Sequence, residues 1–268
     1  MEDTLKGSYA VVTGASRGLG RSMALNLASR GINTLLVSLP GENVESVSEK
    51  CREKGTVSFS FEADLTVKGE LESVAAAIKQ YDISILVNNA GLGGTRSFLA
   101  SDPAYLDTII DLNVRAPVML SRLLLPGMIK RGNSYILNVA SMASFSPIGY
   151  KTVYPASKKF LQYFSVSLHE ELRRRGVRVC VVHPMSMRTN STVTRRIDSQ
   201  GLLGQIGLLS PDRVAELTLR RMFRGRTFIV PGIWNGFNML LLCLLPRWIK
   251  VPLLSRAFRR EIDMGVNR

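Results

Sequence analysis

Short apolar runs alternate with longer amphipathic stretches along most of this chain. Tyr9-Ala10-Val11-Val12 is the first apolar run, and Arg21 to Arg30 follows it with helical periodicity. Further strands are predicted at Asn33 to Ser38, Val57 to Phe61 and Ile83 to Val87, with helices between them at Glu42 to Lys54 and Lys68 to Gln80. The second half continues the rhythm. It holds one long helix within Ala104 to Lys130, a strand from Ser134 to Ala140, a helix from Thr152 to Arg175 and a strand from Val177 to Val182. A helix near Pro211 to Phe223 and a strand near Thr227 to Val230 complete it. Pro155 is compatible with this assignment only in the first turn of its helix. Strands separated by helices of this length need crossover connections, so the pattern predicts an α/β protein with a parallel sheet covered on both faces.

From Pro231 the rhythm changes. Met239 to Leu245 is strongly apolar, but Pro246, Arg247, Lys250 and Pro252 interrupt the residues after it. The apolar run is too short for a spanning helix, which needs about 20 such residues. A division into residues 1–230, an α/β domain, and residues 231–268, a basic and apolar extension, is expected. Composition adds one unusual feature. Lys and Arg number 35 against 21 acids, a formal charge of +14, and Arg220 to Arg268 carries ten basic residues against two acids. Cys51, Cys180 and Cys243 fit neither a disulfide framework nor a zinc pattern, which points to a reducing, cytoplasmic setting and no bound metal. Met1 to Lys6 lacks the basic start of a signal peptide.

Candidate chemistry lies at the ends of the predicted strands. Thr13-Gly14-Ala15-Ser16-Arg17-Gly18-Leu19-Gly20 directly follows the first strand, where glycines let the backbone approach a pyrophosphate at a helix N-terminus. Such a turn in isolation is often only a tight turn. Tyr154 and Lys158 share a helix face at i and i+4, so a phenol and an ammonium meet at one point. A tyrosine with an ordinary pKa of about 10 is a poor acid or base at neutral pH, and a nearby cation lowers that pKa. The same spacing also occurs on solvated helix faces. Ser141 ends the Ser134 run and would emerge at the carboxyl end of a strand, where ligands bind in open parallel sheets.

Together the ordered motifs resemble the short-chain dehydrogenase/reductase family. TGxxxGxG matches Thr13 to Gly20, NNAG matches Asn88 to Gly91, and YxxxK matches Tyr154 to Lys158. Asn113 and Ser141 stand at the family's remaining catalytic positions, and the match runs from about Lys6 to Thr189. The resemblance implies a single-domain Rossmann fold, a doubly wound parallel sheet of about seven strands with helices on both faces. It also implies hydride transfer between a nicotinamide cofactor and a carbonyl or alcohol. Tyr154 would protonate the carbonyl oxygen, Ser141 would donate a hydrogen bond to it, and Lys158 would lower the tyrosine pKa and hold the nicotinamide ribose. Asn113 would hold a water in the proton relay.

For the cofactor, the resemblance implies contacts from Gly14, Ser16, Gly18, Leu19 and Gly20, from Asn89, Ala90 and Gly91, from Leu65, Tyr154 and Lys158, and from Asp64 at the adenine. Asp64 alternatively caps the following helix. The family's PG turn is altered to Pro184-Met185. Pro184, Met187 and Thr189 are still assigned to the nicotinamide side, with Met185 and Met187 expected to pack. The second strand ends Val37-Ser38-Leu39-Pro40 with no acid before Glu42. Arg17 and Ser38 are therefore expected at a 2′-phosphate, and NADPH is preferred to NADH.

Substrate signals are weaker. Ser191 to Leu209, with Leu202, Leu203, Ile206, Leu208 and Leu209, is expected to form an apolar lid, or simply to pack on the domain. Phe237 to Phe258 interleaves leucine and tryptophan with Arg247, Lys250 and Arg256, the composition of a segment in a membrane interface or of an oligomer contact. This tail resembles those of long-chain ketoacyl and ketosphinganine reductases, and of some hydroxysteroid dehydrogenases. The expected activity is NADPH-dependent reduction of an apolar, lipid-like ketone by a cytoplasmic homo-oligomer, with membrane association through the tail as the second reading of that segment. The alternatives are a hydroxysteroid or other alcohol dehydrogenase, and a non-catalytic cofactor sensor or scaffold. Nucleic acid is not expected, since no recognition motif accompanies the charge.

Overall fold

In the computed structural model, which describes residues 3–187 and 207–263, seven strands form one parallel sheet. They are β1 (Tyr9–Thr13), β2 (Asn33–Ser38), β3 (Ser58–Glu62), β4 (Ile83–Asn88), β5 (Ser134–Val139), β6 (Val177–Val182) and β7 (Phe228–Ile229). Their order is β3-β2-β1-β4-β5-β6-β7, and every neighbouring pair is parallel. The order reverses between β1 and β4, so the loops leaving these two strands flank a crevice at their carboxyl ends.

Successive strand residues point to opposite faces, and each face builds its own core. Ala10, Val12 and Leu36 join α1 (Gly18–Ala28), α2 (Glu45–Arg52) and α7 (Pro211–Phe223) on one side through Met23, Leu27, Val47 and Leu219. Val11, Leu35 and Val37 join α3 (Lys68–Ile78) and α5 (Ala116–Arg131) on the other through Leu71, Ile78, Leu120 and Leu124. Fully burying a side chain of this size stabilises the fold by about 1.5–3 kcal/mol. The doubly wound architecture expected from the sequence is the one observed.

Three elements differ from expectation. The single helix predicted within Ala104 to Lys130 consists of α4 (Pro103–Ile110), a π-helical turn (Asp111–Arg115) and α5. Asp102 caps α4 by accepting a 2.9 Å bond from the Ala104 N–H. The π turn has a local cause, because Pro117 lacks the N–H that a continuous α-helix would direct to the Asn113 carbonyl. The last strand has two residues rather than four. The tail forms two helices, α8 (Ile233–Leu244) and α9 (Arg247–Asp263), with Pro246 between them.

Polar contacts tie these helices to the body. Within the extension, the buried Asn235 donates to the Pro231 carbonyl at 2.7 Å and the buried Lys250 joins α9 to α8 through the Leu242 carbonyl, while the same ammonium reaches the body at the Phe145 carbonyl, 3.3 Å away. The Gly149 N–H donates to Ser255 Oγ at 2.8 Å, and Thr95 Oγ1 donates to buried Glu261 at 2.8 Å. Phe145, Gly149 and Thr95 all lie in loops around the carboxyl end of the sheet.

Candidate active site

The β1–α1 loop and the loop after β4 are locked together. Thr13 Oγ1 accepts from the N–H groups of Asn89 and Ala90, each at 3.0 Å, and donates to the Val87 carbonyl at 3.3 Å. The Asn89 amide donates to the carbonyls of Thr13 and Gly14 at 2.9 and 3.0 Å. Gly20 is packed so closely that a Cβ there would lie 2.1 Å from the Gly14 oxygen. The loop thus requires glycine at Gly20 for contact and at Gly14, with φ of 63°, for conformation. Arg17 begins α1 without a side-chain cap, which leaves the helix N-terminus to an anion.

The helix α6 (Val153–Glu171) carries Tyr154, Ser157, Lys158, Leu161 and Ser165 toward the sheet at i, i+3 and i+4 spacing. Its register is set by a buried polar ladder. Asn88 and Asn138 are paired in the sheet, Asn88 donates to the Asn138 side chain at 2.8 Å, and Asn138 donates to Ser165 Oγ at 2.8 Å. Leu161 packs on Ala140 and Val181. One turn from the helix start, the Lys158 ammonium donates to the Val139 carbonyl at 2.9 Å and is 4% exposed. Burial pushes its pKa down from 10.5 to about 8.

Asn113 is fully buried in the π turn. Its Oδ1 accepts from the Leu92 N–H at 2.9 Å, and its Nδ2 donates to the Leu92 carbonyl at 2.8 Å and to Ser157 Oγ at 3.0 Å. The side chain therefore clamps the β4 loop to α6. At Gly91 a Cβ would sit 3.1 Å from both Asn113 Oδ1 and Lys158 Nζ, so these three residues converge. At Gly93 it would sit 2.7 Å from the Tyr154 ring, which places that ring against the same loop.

Ser141 begins the 3₁₀ turn Met142–Phe145, and its Oγ accepts from the Ala143 N–H at 3.2 Å. Behind it, His183 Nδ1 lies 3.2 Å from the Ser141 carbonyl, a contact that requires the proton on Nδ1. The ring is fully buried, with centroids 4.8 Å from Phe145 and 4.7 Å from Phe228, and its Nε2 has no hydrogen-bond partner among the described residues. Burial pushes its pKa down to about 4. Beside Tyr154 runs a groove lined by Gly94, Arg96, Tyr105, Ile109 and Tyr150, in which the Arg96 guanidinium lies 4.2 Å from the Tyr105 ring centre. Tyr150 holds a left-handed backbone with φ of 64° at the edge of this groove.

Several residues expected at the cofactor have partners within the protein. Ser16 Oγ donates to Glu42 at 2.7 Å, and Arg17 pairs with the same carboxylate at 2.7 Å. Ser38 is buried, with its hydroxyl donating to the Leu39 carbonyl at 3.2 Å. Asp64 Oδ1 accepts from the N–H and hydroxyl of Thr66 at 2.9 and 2.7 Å, a turn contact and not the helix cap expected as the alternative to adenine binding, since α3 begins after Val67 with no side-chain cap. Leu19 and Leu65 are buried in the two cores, Pro184 accepts from the Met142 N–H at 3.0 Å, and Met187 packs on the first core. Thr189 and most of the expected lid, including Leu202, Leu203 and Ile206, lie outside the described residues.

Thr13, Asn138, Ser157 and His183 support the site without having been singled out. Thr13 stood inside the glycine motif, whereas the other three carry no local signal. The glycine cradle, the open helix N-terminus and the cation beside Gly91 fit a dinucleotide lying across the β1/β4 crevice. Among the described residues no group of three or more acidic, histidine or cysteine side chains is placed to hold a metal.

The sequence model of the family described as short chain dehydrogenase matches residues 8–200. A very-long-chain 3-oxoacyl-CoA reductase of Rattus norvegicus is 30% identical over 248 residues, covering 91% of this chain and 77% of the relative. One from Macaca fascicularis is 33% identical over 195 residues, covering 71% of this chain and 62% of the relative. Among solved structures, a short-chain dehydrogenase from Sphingobium yanoikuyae in complex with NADPH is 25% identical with a TM-score of 0.77, covering 90% of this chain and 97% of that one.

Proposed function

The chain belongs to the short-chain dehydrogenase family and is an oxidoreductase; from that premise we propose that it reduces an apolar, 3-oxoacyl-type carbonyl with NADPH. The observation that carries the mechanism is the buried Lys158 ammonium, one helical turn from Tyr154 and converging with Asn113 on Gly91. The bound nicotinamide supplies the hydride. Gly14, Gly18 and the α1 N-terminus would hold its pyrophosphate, and Lys158 and the Asn89 to Gly91 turn would hold the ribose and nicotinamide end.

The Tyr154 hydroxyl gives its proton to the carbonyl oxygen as negative charge develops there, and Ser141 Oγ donates a hydrogen bond to the same atom. The phenolate left on Tyr154 is stabilised by the Lys158 cation. Asn113 spends its side-chain amide on Leu92 and Ser157, so a relay water would meet its main-chain carbonyl, which Pro117 leaves without an α-helical donor. His183 positions Ser141 from behind.

For the substrate, support comes from the relatives' printed activity and from the Tyr105, Ile109 and Tyr150 groove. Arg96 at its rim suits an anionic carrier on the acyl chain. The extension 231–268 bears exposed Ile233, Trp234, Phe237, Leu244, Trp248 and Leu253, a face suited to a second copy of the chain or to a membrane interface. No helix among the described residues is long and apolar enough to cross a membrane. The test is NADPH oxidation across 3-oxoacyl thioesters of graded length, sphingoid ketones, steroids and small ketones. Turnover that rises with acyl length supports the reading, and turnover confined to steroids or small ketones overturns it. Liposome flotation and sizing of the full chain separate membrane from self-association.

A further inference from the structure

Glu42 occupies a position that neither the strand-end pattern nor the reaction explains. β2 ends at Ser38, and the turn Leu39-Pro40-Gly41 doubles back, with Gly41 at φ of 78° and its N–H donating to Glu62 at 3.2 Å. The Glu42 N–H closes this turn on the Leu39 carbonyl at 3.3 Å. The carboxylate is thereby returned to the glycine loop although the strand itself offers no acid. Its Oε1 lies 2.7 Å from Arg17 Nη2, and its Oε2 accepts from Ser16 Oγ at 2.7 Å. The Glu42 side chain is 21% exposed against 65% for Arg17, so the acid sits inside the guanidinium.

A 2′-phosphate on the adenosine ribose needs a cation and hydroxyl donors, and Arg17 and Ser16 are the groups of this loop that supply them. Both are already held by one carboxylate. We propose that Glu42 is a specificity-determining residue that competes with the cofactor's 2′-phosphate for Arg17 and Ser16. This rests on the NADPH reading above. Glu42 must release both partners, and tolerate a nearby dianion, whenever a 2′-phosphorylated nucleotide binds. A cofactor with a free 2′-hydroxyl leaves the pair intact. Glu42 thus reduces the preference for the phosphorylated cofactor below what Arg17 alone would give.

Calorimetry on the cofactor-free full chain tests this with 2′,5′-ADP, 5′-AMP, NADPH and NADH. In Glu42→Gln, which keeps the side-chain shape but not the charge, 2′,5′-ADP and NADPH should bind about fivefold more tightly, the scale of an exposed ion pair, with 5′-AMP and NADH unchanged. The gain should vanish when Arg17→Ala is added. Equal changes for phosphorylated and unphosphorylated ligands would mean that Glu42 only props the loop, and a selective loss of NADH would make it a ribose ligand; either result overturns the proposal. If the unaltered chain binds none of these ligands, the cofactor reading itself fails.

Discussion

Replacing Lys158 by methionine should make the protein inactive and, at neutral pH, more stable. The ammonium is buried, and its pKa falls from 10.5 to about 8 through desolvation. Keeping it protonated in the fold therefore costs about 3 kcal/mol relative to the unfolded chain. Below pH 8 both states carry the proton and the full penalty applies. As pH rises from 8 to 10.5 the folded chain gives up its proton first, and the penalty disappears. Methionine removes this pH-dependent component but loses the bond from a charged donor to the Val139 carbonyl, worth about 2 kcal/mol. Lys158→Met should thus be about 1 kcal/mol more stable below pH 8 and lose that advantage towards pH 10.5. Urea unfolding of both proteins from pH 7 to 10.5, without cofactor, measures the gap. A constant gap, or a variant that is less stable at pH 7, would show that burying the ammonium carries no such penalty.

His183 should report its burial at acid pH. With its pKa down at about 4, the folded chain resists a proton that the unfolded chain accepts below pH 6.5, so stability present above pH 6.5 falls by about 3 kcal/mol towards pH 4. His183→Phe should lack that component, and parallel acid unfolding curves for the two proteins would count against it. Gly91→Ala would place a methyl 3.1 Å from both Asn113 Oδ1 and Lys158 Nζ. Turnover should drop about tenfold or more and the melting temperature should fall as well, because the methyl would press on two buried, hydrogen-bonded groups; steady-state kinetics and a thermal melt check both.

The sheet was legible because each strand is a short apolar run whose alternate residues serve two separate cores, as Val11 and Val12 do. The π turn was not, because Pro117 reads equally well as an ordinary first-turn proline; its effect on the Asn113 carbonyl appears only when the preceding helix runs into it. The same limit applies to the support of the site. Tyr154, Lys158 and Ser141 have sequence spacing, whereas Asn138–Ser165, Asn113–Ser157 and His183–Ser141 are contacts between distant segments with no periodic signature. Glu42 illustrates a third case. The end of β2 carries no acid, as its sequence shows, yet a glycine turn brings one back to Arg17 from four residues downstream.

In the proposed mechanism Tyr154 transfers the proton, and other residues suffice to hold the cofactor. Tyr154→Phe removes one oxygen and leaves the ring against Gly93. Turnover and NADPH affinity should be measured on the same preparation, with a 3-oxoacyl thioester that the unaltered enzyme reduces. Turnover should fall by at least about 10²-fold with NADPH affinity within a few-fold of the unaltered enzyme. Retained turnover would contradict this mechanism.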